Sequence, residues 1–263
     1  MNIRTEVVNR FAFMEYKAPR WVPWASVALL LAIWEAVSRS PWVSALYLPP
    51  PSAIVMAGFD MAASGELWAN MTASLGRIAA GYVLGSAAGV LVGLMLGFSA
   101  IAEAAGNPIL YSLYPVPKIA LLPLIILWLG IGETSKITII TLGVFFPVAI
   151  NTYAGVKNID PLFIKVAVSF KASRLHVLRK VVLPGALPMI FAGLKLAAGT
   201  SLLLLVAAEM IAAKEGVGAL ILHYGDLMLT TKLMVGVVVL SLLGVLFNQI
   251  IHIIEGRVIP WKR

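Results

Sequence analysis

The sequence predicts an all-α polytopic membrane protein of six transmembrane helices, with short helices on its cytoplasmic side. Three observations predict it. Of 263 residues, 60% are hydrophobic and 12% charged, and mean hydropathy is +0.95. A soluble domain carries roughly 25% charged residues, so this chain lacks the polar surface to cover a water-soluble globule. Apolar stretches approaching the about 20 residues that cross a hydrocarbon core of about 30 Å recur along it. Basic residues gather in a few flanking segments, the bias that orients multi-span proteins.

The stretches are 24–37, 76–97, 107–129, 135–153, 185–213 and 233–254. The first is short and is expected to extend toward Trp42. An even number of crossings puts both termini on one side. Arg4, Arg10, Lys17 and Arg20 occupy the N-terminal tail, and Arg257, Lys262 and Arg263 the C-terminal one. Lys157, Lys165, Lys171, Arg174, Arg179 and Lys180 occupy the link after the fourth stretch. The other face has only Arg39, Lys136, Lys214 and Lys232, so both termini and that link are expected in the cytoplasm. The chain then divides into a tail, 1–23, a six-span unit, 24–258, containing a cytoplasmic loop, 157–184, and a second tail, 259–263. This distribution accounts for the net charge of +8 without nucleic acid. Val43-Ser44-Ala45 has the form of a signal cleavage site, but Arg39 and Pro41 separate it from the apolar run. The first stretch is therefore expected to remain as a span.

After it comes Leu48-Pro49-Pro50-Pro51. Pro51 suits a first helical turn, where its missing N–H costs nothing, and 52–63 reads as an amphipathic helix on the outer surface. In the second span Gly81, Gly85, Gly89, Gly93 and Gly97 recur every fourth residue. Each glycine costs a helix about 1 kcal/mol relative to alanine. The stripe reads as a seam that lets a neighbouring backbone approach, with pore lining as the other reading. Pro115, Pro117 and Pro123 interrupt the third span, each removing a backbone hydrogen bond. The freed carbonyls must face protein or a water-filled cavity. Lys118 there is either part of a translocation path or a side chain reaching headgroups from a structural kink.

The other charges within spans are Glu35, Arg77, Lys195 and Glu209. Pairing Arg77 with Glu35 or Glu209 would cancel charge; the functional reading is an outer gate. The two halves are not inverted copies, which weighs against a secondary transporter. There is no Gly-x-x-x-x-Gly-Lys-Ser/Thr loop for ATP, and His176, His223 and His252 form no His-Glu-x-x-His pair. Cysteine is absent, and no serine or carboxylate group is spaced for hydrolysis. Neither a catalytic residue nor a metal site is expected.

In the cytoplasmic loop, Asp160 can cap a helix that opens with Pro161 and runs to about residue 170. Ser173 offers a second cap, for a helix that Pro184 should end near residue 182. Leu175, Val177, Leu178, Val181 and Val182 share one side of it, interrupted by Arg174, with His176, Arg179 and Lys180 opposite. Such a pair can lie on anionic lipid or seat in a groove of a soluble partner. Amphipathicity does not separate the two.

This segment resembles the Glu-Ala-Ala loop of the permease subunits of ABC importers. Lys165-Val166-Ala167, Lys171, Val181 and Leu183-Pro184 stand at the intervals of that signature. The runs LYLPPPSAI, SGELWANMTASLGRIAAGY, YPVPKIALLPLIILWLGIGETSKI, NTYAGVKNIDP and VAAEMIAAKEGVGALI are similar to the nitrate, sulfonate and taurine group. The likeness spans roughly 24–258. It implies a type I, six-span permease of the bacterial inner membrane that dimerises with a second copy. Two ATPase subunits would bind ATP and Mg, so no cofactor is expected in this chain, and a periplasmic binding protein would deliver the solute. Asp160 through Leu183 would then be the coupling element, with Ala172, Ser173, Leu175 and Leu178 facing the ATPase groove. Lys165 stands where the family has Glu, and Lys171 where it has Gly, so the bend is expected to be built differently. The competing class is a stand-alone channel or ion-driven carrier, which would survive ATP depletion.

Overall fold

A computed structural model describes residue 19 and residues 21–262. Arg4, Arg10, Lys17, Arg20 and Arg263 lie outside the described residues. The described chain is helical, without strands. Four helices are long and apolar enough to cross a membrane, or five if one bent pair counts as a span. The six expected crossings correspond to α1 (Val22–Ser38), α3 (Glu66–Phe98), the pair α4 (Ala100–Leu113) and α5 (Leu122–Leu129), α6 (Glu133–Lys157), α9 (Leu183–Ala212) and α11 (Thr230–Val258).

Helix α1, Val22–Ser38, stops short of Trp42. Arg39 folds back to bond Glu35, Ser40 N–H donates to the Val37 carbonyl, and Pro41 has no N–H to continue the ladder. Its 17 residues reach about 26 Å, the lower limit for a crossing. Helix α2, Pro51–Ala63, opens on proline as expected and buries Ile54 and Met61 against Leu220, Tyr224 and Val235.

Helix α3, Glu66–Phe98, starts ten residues before the expected span, just after left-handed Gly65. Its glycine stripe lies along α6, Glu133–Lys157. A Cβ on Gly81, Gly85, Gly89, Gly93 or Gly97 would sit 2.5–2.9 Å from the Cβ of Ile140, Val144, Val148, Thr152 and Val156 in turn. The stripe is a packing seam. Helix α6 runs between α3 and α9, Leu183–Ala212, and Ile139, Ile140, Val144 and Val148 on it are almost wholly buried.

A single residue, Ser99, separates α3 from α4, Ala100–Leu113. The expected third span is two pieces bent by 88°. Pro115 and Pro117 lie in the bend, a 3-10 turn runs from Lys118 to Leu121, and α5, Leu122–Leu129, follows. Pro123 sits in the first turn of α5, where it breaks nothing.

The loop after α6 forms α7, Pro161–Ser169, and α8, Arg174–Val177. Pro184 does not end α8. A π turn over Leu178–Val182 carries the chain directly into α9, Leu183–Ala212. The wider turn falls where the Lys180 carbonyl would meet the Pro184 ring. Helix α10, Val217–Asp226, and α11, Thr230–Val258, complete the bundle. Ile259, assigned to a tail, is 2% exposed and packs with Phe191, Ala198 and Ile251. In α11 only 6% of the apolar window is buried, which leaves that helix facing lipid or a partner.

Candidate functional site

Three regions hold the residues singled out by sequence. The first is a buried polar cluster at the ends of α3, α6 and α9. Arg77 Nη1 donates to Glu209 Oε1 at 2.7 Å and to the Glu215 carbonyl at 2.6 Å. Its Nε and Nη2 form a two-pronged contact with Glu133 at 2.6 and 2.9 Å. Glu209 is 0% exposed, yet it also accepts from Ser74 Oγ and from the Gly218 N–H at 2.9 Å. Ser74 Oγ in turn accepts from Val217 N–H, Asn70 Oδ1 accepts from Gly216 N–H, and Lys136 Nζ donates to Glu133 at 3.0 Å. Two cations face two carboxylates, so the group is neutral, and every carboxylate oxygen has a donor. Gly216 has φ +130°, and a Cβ there would run into the Glu209 carboxylate and Arg77. The cluster thus pins the α9–α10 connection, residues 213–216, against α3.

The expected pairing of Arg77 with Glu209 is present; the alternative with Glu35 is not. Glu35 accepts from Arg39 Nε at 2.6 Å, from Ser52 N–H at 3.1 Å and from Ser52 Oγ at 2.7 Å. It caps the first turn of α2 from α1. Glu133, Lys136, Ser74 and Asn70 were not singled out by sequence. Arg77 and Glu133 lie 56 positions apart, beyond any local pattern, although Glu133 and Lys136 are one helical turn apart.

Nearby, Tyr224 donates to Glu66 Oε1 at 2.6 Å. Burial, and then the hydrogen bond to Glu66, push its phenol up to about 12, so it remains a donor.

The second region is an open cleft of about 820 Å³ lined by the α4–α5 bend, α6 and α9. Lys118, Tyr114, Phe146, Asn151, Thr200 and Leu203 are among its walls. Lys118 Nζ lies 4.4 Å from the Phe146 ring centroid and 5.3 Å from that of Tyr114. It donates to the carbonyls of Leu113 and Tyr114, which end α4. The same lysine caps the broken helix and lines this cleft. Lys195 does not join it. Its Nζ donates to Glu255 Oε2, with His252 Nδ1 3.8 Å from the same oxygen, tying α9 to the far end of α11.

The third region is the loop between α6 and α9. Asp160 caps α7 by accepting from Leu162 N–H at 2.8 Å, and Ser173 caps α8 by accepting from His176 N–H at 3.3 Å. The inner sides of both helices pack on the ends of α6 and α9: Val177 and Val182 are buried, and Ala167, Ala172, Leu178 and Val181 are half-buried. Of the residues expected to face a groove, Ser173 and Leu175 are exposed, while Ala172 and Leu178 are half-buried among these apolar side chains. Sequence reasoning missed Leu162, Phe163 and Phe170, whose exposures are 60%, 62% and 83%. Beside them Lys165, Lys171, Arg174, Arg179 and Lys180 are exposed. Lys171 has φ +56°. The bend is therefore left-handed despite the missing glycine, correcting the expectation of a different construction. Ala172 N–H reaches the Ala167 carbonyl at 3.1 Å and Lys171 N–H the Val168 carbonyl at 2.8 Å, a Schellman motif.

No group of histidine and carboxylate side chains that could hold a metal occurs among the described residues.

Comparison with known proteins agrees with this architecture. Residues 85–261 match the family described as binding-protein-dependent transport system inner membrane component. The chain is 37% identical to the taurine transport system permease protein TauC of Escherichia coli (strain K12), over 90% of this chain and 88% of that one. It is 35% identical to the nitrate import permease protein NrtB of Leptolyngbya laminosa, over 74% of this chain and 70% of that one. A chain of the MetNI methionine ABC transporter, in inward-facing conformations, superposes with TM-score 0.62 at 22% identity, over 72% of this chain and 94% of that one. At that identity the match speaks for the fold. The chain belongs to the family of inner-membrane components of binding-protein-dependent transport systems, and is a multi-pass transport permease rather than a catalytic protein.

Proposed function

We propose that this chain, as a homodimer, forms the membrane path of an ATP-driven importer for a small oxyanion. Sulfonates and nitrate are the class, after the relatives' names. A periplasmic binding protein delivers the solute at the face bearing the Arg77–Glu209 cluster. Two ATPase subunits, holding ATP and Mg, dock on the opposite, cytoplasmic face, where both termini lie. The observation that carries this reading is the exposed surface of α7 and α8. Leu162, Phe163 and Phe170 are exposed apolar side chains, while the inner sides of the same helices are packed on α6 and α9. A partner that covers those rings could therefore move the spans by moving the loop. Asp160, Pro161, Ser173, Leu183 and Pro184 shape the loop, and Lys165, Lys171 and Arg174 give its outer side a positive charge. The ATPase groove on this reading is acidic where it meets Lys165.

The test is co-expression with candidate ATPase subunits, purification, and uptake into proteoliposomes containing binding protein. The expected result is a stable complex and taurine or nitrate uptake that stops without ATP. Uptake by the permease alone, unaffected by ATP depletion, would make it a channel or ion-driven carrier.

A further inference from the structure

On the spanning helices and at the α4–α5 bend, four cations, Arg77, Lys118, Lys136 and Lys195, are buried or half-buried. Three are neutralised. Arg77 meets Glu209 and Glu133, Lys136 meets Glu133, and Lys195 meets Glu255. Lys232, in the first turn of α11, lies at the helix end, 5.1 Å from the Tyr224 ring centroid. Lys118 alone of the four has no carboxylate partner among the described residues. Its ammonium is served by two carbonyls and two aromatic rings. The end of a helix supplies about half an elementary charge, so the local balance stays positive. Charge held at membrane depth without a counter-ion is costly, and such residues pair with one another or mark ion pathways.

We propose that the missing counter-ion is the cargo: Lys118 holds the transported monoanion, and the cavity is a solute site within the permease. This rests on the import reading above. The walls fit such a guest. A volume of about 820 Å³ admits a small oxyanion with several waters, each occupying about 30 Å³, so the anion need not be stripped bare. Asn151 Nδ2 is engaged with the Pro147 carbonyl at 2.8 Å and Thr200 Oγ1 with the Ala197 carbonyl at 3.0 Å. Lys118 is thus the one formally charged donor on the wall. A single cation above aromatic faces recognises charge sign and small size, and it leaves discrimination among anions to the binding protein. It also holds weakly, at about millimolar affinity, as passage requires. When an oxyanion arrives, it competes with the Leu113 and Tyr114 carbonyls for the ammonium, so occupancy loosens the α4–α5 bend.

The experiment uses the complete transporter in proteoliposomes, with ATP-dependent uptake of nitrate and of an alkanesulfonate without an amine, ethanesulfonate, as readouts. Lys118→Met should lower uptake by about tenfold, the effect of losing one charged hydrogen bond. Binding-protein-stimulated ATP hydrolysis should stay near wild type, and Lys118→Arg, which keeps a charged donor for the two carbonyls, should retain most uptake and the wild-type thermal unfolding. Nitrate titrated into the permease in nanodiscs should bind wild type weakly and Lys118→Met not at all. Wild-type uptake by Lys118→Met overturns the inference and leaves the import reading standing. Parallel loss of uptake, hydrolysis and thermal stability in both variants also overturns it, because Lys118 would then act only as a helix cap. A wild-type transporter that hydrolyses ATP but moves neither nitrate nor the alkanesulfonate overturns the substrate reading and the inference together.

Discussion

The two ends of this permease solve opposite problems. At one, Arg77, Glu209, Glu133, Ser74 and Lys136 satisfy one another, and Glu209 is fully buried. At the other, the α7–α8 loop leaves Leu162, Phe163 and Phe170 exposed, flanked by cations. The first end is closed upon itself and fastens the α9–α10 connection. The second is closed only on its inner side. Charged residues therefore mark structure at one end and, on the import reading proposed above, recruitment at the other, and burial with complete hydrogen bonding tells them apart.

The largest effect should come from opening the closed end. Arg77→Met leaves Glu209 buried without its cation, and losing one partner of a buried pair costs about 3–5 kcal/mol. Thermal unfolding in nanodiscs should drop accordingly. Arg77→Met combined with Glu209→Gln should recover part of the loss, since no buried charge is stranded. A double variant less stable than the single one would show that the pair is not the unit of stability.

At the open end the folded state should be indifferent. Phe163→Ala removes a ring that touches little of its own chain. If the ring is a central anchor, ATPase affinity should fall about 30-fold, for a loss of about 2 kcal/mol. Melting should not change, and a destabilised permease with unchanged ATPase binding would reverse the comparison. A smaller effect is expected from Lys165→Glu: about tenfold weaker coupling of ATP hydrolysis to transport if the facing groove is acidic, for about 1.4 kcal/mol of like-charge cost. Improved coupling would refute the acidic groove.

Legibility in the sequence followed the range of the interaction. The glycine stripe at every fourth residue is local, and its role as a seam was readable before its partner α6 was known. The caps Asp160 and Ser173 are local too, and both bond as expected. Arg77 and Glu209 were recognisable as a pair because charges in apolar spans need partners. Glu133 was not, since it sits at a helix end where a carboxylate looks solvated. Pro184 misled because a proline usually ends a helix, whereas a π turn here absorbs it. Leu162, Phe163 and Phe170 went unnoticed because α7 is apolar around most of its circumference, and only packing decides which side is covered. Composition called for cavity walls around the broken third span but could not place α9 as one of them.

The smallest prediction sets the two ends side by side in one geometry. Lys171 after α7 and Met228 after α10 both have φ +56°, and both close a Schellman motif. At the second, Leu229 N–H reaches the Tyr224 carbonyl at 2.9 Å and Met228 N–H the Gly225 carbonyl at 3.0 Å. A left-handed residue with a side chain costs about 1–2 kcal/mol, so glycine at either place should stabilise its turn by about 1 kcal/mol. Slower hydrogen exchange of the last amides of α7 and α10 would report it. Met228→Gly should change nothing else. Lys171→Gly removes a cation from the docking face, so the turn should tighten while ATPase affinity falls. If both variants stabilise their turns and neither alters ATPase binding, Lys171 is strained without serving the interface, and the charge of that face rests on Lys165 and Arg174.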